Sequence, residues 1–213
     1  MDRTFIAHPA TKNERTPIVV IAMHLWGVDE PMRAAARRFA EHGIAAIVPD
    51  LYANFDAPDG DGVTDHTVFL PLARSLVTEQ VDMKLAAGRD HMRTLYPKAK
   101  TAIAGFCMGG VMATFRSTSR YDYDAAAVWY GLSKEIDASD VTIPIVASYG
   151  SLDRGIPVAD VLSFEQSLRT PHDVKVYDGA DHAFGDEARA AYHRDATEDS
   201  WQRTLVFLDR YLL

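Results

Sequence analysis

Gly105-Phe-Cys107-Met-Gly109-Gly110 is the segment of this chain best suited to chemistry. The apolar run Thr101-Ala-Ile-Ala104 before it reads as a strand, and the small residues that follow read as the start of a helix. Glycines at these offsets permit a turn too sharp for larger side chains, and such a turn lifts its apex residue above the end of the strand. Here the apex carries sulfur. It stands at a helix N-terminus, where unpaired N–H groups favour an anion, so the chemistry expected is nucleophilic attack through a covalent intermediate. An isolated cysteine is by default a small buried hydrophobe, and the flanking glycines are what set this one apart. A phosphate-binding loop is excluded because the segment lacks the Lys-Ser/Thr ending, and a dinucleotide fingerprint is excluded by spacing.

A nucleophile of this kind needs a base and an acid, in the chain order nucleophile, acid, histidine. Asp153, in Gly150-Ser-Leu-Asp-Arg-Gly, and His182, in Gly179-Ala-Asp-His-Ala-Phe184, satisfy that order. Each follows an apolar run, at the end of a strand where ligands bind in open α/β sheets. Asp178 and Asp181 are rival acids, disfavoured because close sequence neighbours point their side chains apart. Of the other histidines, His8, His42, His66, His91, His172 and His193 fall on helices or polar loops and are expected to be solvated. An oxyanion hole built as in this chain order takes the N–H after the nucleophile and one from an early loop, which nominates Met108 and Leu25.

Short β-branched runs position these residues. Strands are expected at 17–23, 44–48, 101–104, 125–129, 143–149 and 174–177, with a further edge strand within 3–7. Between them helical periodicity covers 32–42, closed by Gly43, and then 77–95, 108–117 and 158–168. The tail places Trp201, Leu205, Leu208 and Leu212 on one helical face. The loop 54–65, with Pro58, Gly60, Gly62 and four aspartates, reads as solvated. This alternation predicts a mostly parallel sheet with helices on both faces over one domain spanning 1–213, and the elbow with its chain order of nucleophile, acid and histidine makes the expected fold an α/β-hydrolase without a large cap.

Composition agrees with an ordinary globular chain, 47% hydrophobic and 24% charged. A formal net charge of -8 disfavours nucleic acid and anionic membrane surfaces as partners. No signal segment is recognised, and the single cysteine excludes an internal disulfide or a cysteine-rich zinc cluster, which fits a reducing cytoplasm. No metal or other cofactor is expected, and the chain is expected to act as a monomer or small homo-oligomer.

Beyond these spacings the chain resembles the dienelactone hydrolase (carboxymethylenebutenolidase) family over nearly its whole length. The landmarks are Leu25-Trp26-Gly27-Val28, Pro49-Asp50-Leu51-Tyr52-Ala53, the Gly105–Gly110 turn, Trp129-Tyr130-Gly131, the Asp153 loop and Gly179-Ala-Asp-His182-Ala-Phe184. The resemblance implies a cofactor-independent Cys107-His182-Asp153 hydrolase that cleaves an ester or enol lactone through a thioester. Three positions depart from the family pattern. His24 stands where members usually carry a glutamate that helps ionise the thiol, and Asn54 and Asp186 stand where they carry arginines that hold a substrate carboxylate. Each such contact is worth ~1.5 to 3 kcal/mol, so the substrate is expected to differ from the usual dienelactone. His24, Trp26, Tyr52, Asn54, Phe106, Tyr130 and Arg154 are the expected pocket residues, with His24 a candidate partner of the thiol and Arg154 a candidate carboxylate clamp. The rival functions are a small-molecule receptor that keeps the pocket without turnover, and a redox or metal protein using Cys107.

Overall fold

The computed structural model describes residues 1–213, which form two compact units, Met1–Thr101 and Ala102–Leu213. In the first unit the strands are β1 (Phe5–Ala7), β2 (Ile18–Ala22) and β3 (Ala45–Val48), and the helices are α1 (Glu30–Glu41), α2 (Leu70–Arg74) and α3 (Thr78–Leu95). β1 runs antiparallel to β3, and β2 pairs with β3 in parallel. All five residues of β2 and all four of β3 are buried, which explains their continuous apolar sequence. α1 begins two residues before the expected Met32 because Asp29 caps it, accepting a hydrogen bond from the Met32 N–H, and Pro31 fits the first turn.

In the second unit β4 (Thr101–Phe106, beginning at the boundary), β5 (Ala125–Trp129), β6 (Ile145–Gly150) and β7 (His172–Tyr177) pair in parallel in that order. α4 (Met108–Phe115), α5 (Val158–Ser167) and α6 (Arg194–Leu212) complete it. β6 starts at Ile145 rather than Ile143 because Pro144 has no N–H to give, although its carbonyl still accepts from Ala126. β7 starts two residues earlier than expected, directly after Pro171. α6 packs on β5 and β6, and its face carries Trp201, Thr204, Phe207, Leu208 and Leu212. Leu205, expected on that face, is only half-buried, and Phe207 takes the inward place. Trp129 is the main anchor beneath α6. Its ring stacks on Phe106 at 4.4 Å and lies 5.0 Å from Trp201, while its indole N–H donates to Ser200 Oγ at 3.2 Å.

Short elements escaped the sequence pattern: the five-residue α2 and the single 3-10 turns His66–Val68 and Ala138–Asp140. None is long enough to show a period, and both turns start from an aspartate cap, Asp65 and Asp137. The 54–65 loop contains no regular element but is tethered within its own unit. Asp61 accepts from the Glu30 N–H at 2.6 Å and pairs with Arg33, and a Cβ on Gly60 would lie 2.2 Å from the Trp26 carbonyl oxygen. No helix is long and apolar enough to cross a membrane.

The backbone at the elbow leaves no room for a side chain on its glycines. A Cβ added to Gly105 would fall 1.9 Å from the Gly109 carbonyl oxygen, and one added to Gly131 would fall 2.4 Å from Gly110. Neither backbone can yield without moving α4. Gly105→Ala is therefore expected to lower stability by at least about 3 kcal/mol, measured by urea denaturation of the purified variant.

Candidate active site

β4 ends at Phe106 and α4 begins at Met108, so Cys107 alone makes the turn. It does so with φ of 55° and ψ of -119°, a conformation that is strained for a residue with a Cβ. The strain is held by hydrogen bonds on either side. The Cys107 N–H donates to the Trp129 carbonyl at 3.0 Å, and the Cys107 carbonyl accepts from Val111 N–H at 3.2 Å. The sulfur is thereby fixed, partly exposed, at the head of α4.

The loops after β6 and β7 meet beside it. Ser151 N–H donates to the Tyr177 carbonyl, Leu152 N–H to the Ala180 carbonyl, and a Cβ on Gly150 would lie 2.4 Å from the Ala180 oxygen. This clasp brings Asp153 and His182 together from positions 29 residues apart. Asp153 is buried, and its two oxygens divide their tasks. Oδ1 accepts from Gly155 N–H at 2.8 Å and Ile156 N–H at 3.2 Å, while Oδ2 lies 2.7 Å from His182 Nδ1. The opposite ring nitrogen, Nε2, lies 3.0 Å from Cys107 Sγ. Ala183 at φ of 62° and a tight turn from Phe184 N–H to the Asp181 carbonyl set the ring's direction.

Tyr130 closes one side of the group. It has φ of 39°, its N–H donates to the Ser148 carbonyl, and its ring meets His182 edge-on at 5.4 Å and Phe184 at 5.3 Å. Burial, and then the charges of Asp186 and Cys107, push its hydroxyl well above the usual tyrosine range, so it stays neutral. For His182 burial pulls the imidazole down. Hydrogen bonds to Asp153 and Cys107, together with their charges, outweigh it and raise the group from 6.5 to about 10. The imidazole is thus charged at neutral pH. The folded value lies above the unfolded one, so the stability this group contributes is complete below about pH 6.5 and is lost as pH rises through about 10. Urea midpoints are expected to fall across that interval in the native chain, and to fall less in His182→Ala.

Other expected residues sit differently. Phe106, expected in a pocket wall, is buried and stacked on Trp129, because the last residue of β4 turns toward α6 and only Cys107 rises beyond the strand. In the first unit Tyr52, expected to line the pocket, is 2% exposed, stacked on Phe69, with its hydroxyl donating to the Leu25 carbonyl at 3.0 Å. His24 is buried, and its Nε2 is 2.7 Å from Asp29 Oδ1, the carboxylate that caps α1. The ring of Trp26 meets His24 edge-on at 5.3 Å. Leu25 is half-buried, and Asn54 is exposed. In the second unit Met108 opens α4, and Arg154 is exposed directly after Asp153.

Asp186, which stands where family members usually carry an arginine, is buried and paired with Arg189, whose Nε lies 3.2 Å from Oδ2. His193, expected in solvent, is half-buried and caps α6 through Nδ1, accepting from Ala196 N–H. Sequence reading also missed the close approach of Gly131 to Gly110 and the positive φ of Tyr130. The first had a visible trace, a glycine directly after the Trp-Tyr pair.

A family model, the dienelactone hydrolase family, matches residues 3–212. The chain belongs to that family. Among curated proteins it is similar to a “Putative carboxymethylenebutenolidase” of Escherichia coli O157:H7, 30% identical over 96% of this chain and 81% of the relative. One of the same name from Yersinia pestis is 31% identical over 97% and 83%. Among solved structures, a “Putative Dienelactone Hydrolase” from Klebsiella pneumoniae subsp. pneumoniae MGH 78578 superposes with a TM-score of 0.82. It is 30% identical and covers 98% of this chain and 92% of the other. The fold is accordingly that of the dienelactone hydrolases, an α/β-hydrolase architecture of seven strands, mostly parallel, with helices. The family's reaction class is hydrolysis of a small molecule.

Proposed function

We propose that this dienelactone hydrolase family member cleaves a small carboxylic ester or lactone by covalent catalysis at Cys107. The carrying observation is His182 bridging Cys107 Sγ and Asp153 Oδ2 with its two ring nitrogens. In this reading the thiolate adds to the substrate carbonyl, and the Met108 N–H at the head of α4 stabilises the oxyanion. As the tetrahedral adduct collapses, the C–O bond breaks and the imidazolium gives its Nε2 proton to the leaving alkoxide. A thioester and a neutral imidazole remain. His182 then takes a proton from water, hydroxide adds to the thioester carbonyl, and the thiolate leaves with the acid product. Asp153 holds the ring in one tautomer throughout.

The same steps select the substrate class. Thiolate is a better leaving group than an amine or a simple alkoxide, so the adduct goes forwards most readily where the leaving oxygen is stabilised, as in an aryl ester or an enol lactone. The relatives' name, carboxymethylenebutenolidase, suggests an enol lactone, which carries a good leaving group of this kind. Asn54 and the Asp186–Arg189 pair differ from the arginines expected of dienelactone cleavage, which favours a less anionic acyl group. A reducing cytoplasm would keep the sulfur available, and no bound cofactor enters any step. The test is an activated aryl ester followed by rapid quenching and mass analysis. A burst of phenol with an acyl mass on Cys107 is expected, whereas turnover with the acyl group elsewhere, or no turnover on any ester or lactone of a panel, overturns the reading.

A further inference from the structure

β7 is the last strand of its unit and pairs only with β6. Its backbone orientation follows from two bonds: the Pro171 and Tyr177 carbonyls accept from Ile145 and Ser151 N–H, on the β6 side. Residues of that parity turn inward, so His172, Val174 and Val176 present their N–H and C=O groups to the open edge. The side chains alternate as well. Asp173, Lys175 and Tyr177 lie on the α6 face, where Asp173 pairs with Arg203, and Lys175 and the Tyr177 hydroxyl with Asp199. Asp173 and Lys175 keep side-chain exposures of 42% and 43%, enough to meet a further partner.

We propose that β7 is the dimer interface of this protein, joining antiparallel to β7 of a second copy about a two-fold axis at Val174. In that register Val174 faces Val174 of the second copy, and His172 faces Val176. Each facing pair of outward residues exchanges two backbone hydrogen bonds. Asp173 then stands opposite Lys175 of the second copy, twice. Backbone parity allows only registers shifted by two residues, and both neighbouring ones are penalised. One sets Asp173 against Asp173, and the other sets Lys175 against Lys175. The charges therefore do more than blunt an exposed edge, because they admit one register and reject its neighbours.

Sedimentation of the native chain over a concentration series is the test, beside three variants checked for fold by circular dichroism. The native chain is expected to pass from monomer to dimer. Val174→Pro removes the central outward N–H while an edge strand tolerates proline there, so it is expected to stay monomeric and folded. Asp173→Lys and Lys175→Asp each set like charges opposite one another twice, and each is expected to raise the dimer Kd by about 10-fold or more. Mixing those two variants pairs opposite charges again and is expected to restore association as a heterodimer. A native chain that remains monomeric overturns the proposal. So does a dimer that survives Val174→Pro unchanged, or a mixture no tighter than its separate components.

Discussion

Cys107→Ala is expected to abolish ester and lactone turnover, by roughly 10⁴-fold or more in kcat, with no acyl group found on the protein after quenching. The magnitude follows from the role proposed for sulfur. Without it no covalent intermediate forms, and the remaining site offers only an N–H donor and an imidazole. The stability cost should be small, because Cys107 is partly exposed and the turn is held by backbone bonds to Trp129 and Val111. Cys107→Ser separates nucleophile from geometry. It keeps an atom that can bond to His182, but a hydroxyl is far harder to ionise than a thiol, so activity is expected to stay low. A serine variant with native turnover would show that the imidazolium–sulfur pair is not what drives acylation. An alanine variant with native turnover would remove the covalent mechanism.

The legibility of this site in sequence had a physical basis. A nucleophile on a tight turn must be surrounded by small residues, and Gly105, Gly109 and Gly110 stand beside Cys107 in sequence, so a local reading suffices. Asp153 and His182 were visible for another reason: each directly follows an apolar strand, and strand ends are where a parallel sheet gathers its loops. What the sequence did not disclose was what each side chain faces. Phe106 and Tyr52 are aromatic residues beside chemically interesting loops, yet both are buried in packing that depends on residues far away, Trp129 for one and Phe69 for the other. Asp186 looked like an added negative charge because its partner, Arg189, belongs to a loop without periodicity.

Strand boundaries shifted for equally local causes. Pro144 and Pro171 place the starts of β6 and β7, and hydropathy windows blur such points because proline is neither strongly apolar nor polar. The short helix α2 and the two 3-10 turns lay below the length at which a helical period can be read. None of these shifts moved Cys107, Asp153 or His182 from the ends of their strands, since those positions depend on where strands end and not on where they begin.

Asp153→Asn is expected to lower kcat by about 10³-fold or more while leaving the fold almost intact, and the hydrogen-bond pattern explains both halves. Oδ1 accepts two backbone N–H groups, from Gly155 and Ile156, so the asparagine must keep its carbonyl oxygen there. Its NH₂ group is then forced into the place of Oδ2, 2.7 Å from His182 Nδ1. A donor at that position obliges Nδ1 to accept, which moves the imidazole proton to Nε2, the nitrogen facing sulfur. A neutral ring in that tautomer cannot take a proton from the thiol, and an imidazolium there has lost its carboxylate. The measurements are kcat/KM against pH, the rate of Cys107 alkylation at neutral pH, and the urea midpoint. Loss of the first two with little change in the third is the expected pattern. Loss of stability in proportion to activity would mean that Asp153 serves chiefly to anchor the loop. Native activity would mean that the imidazole does not depend on this carboxylate for its tautomer.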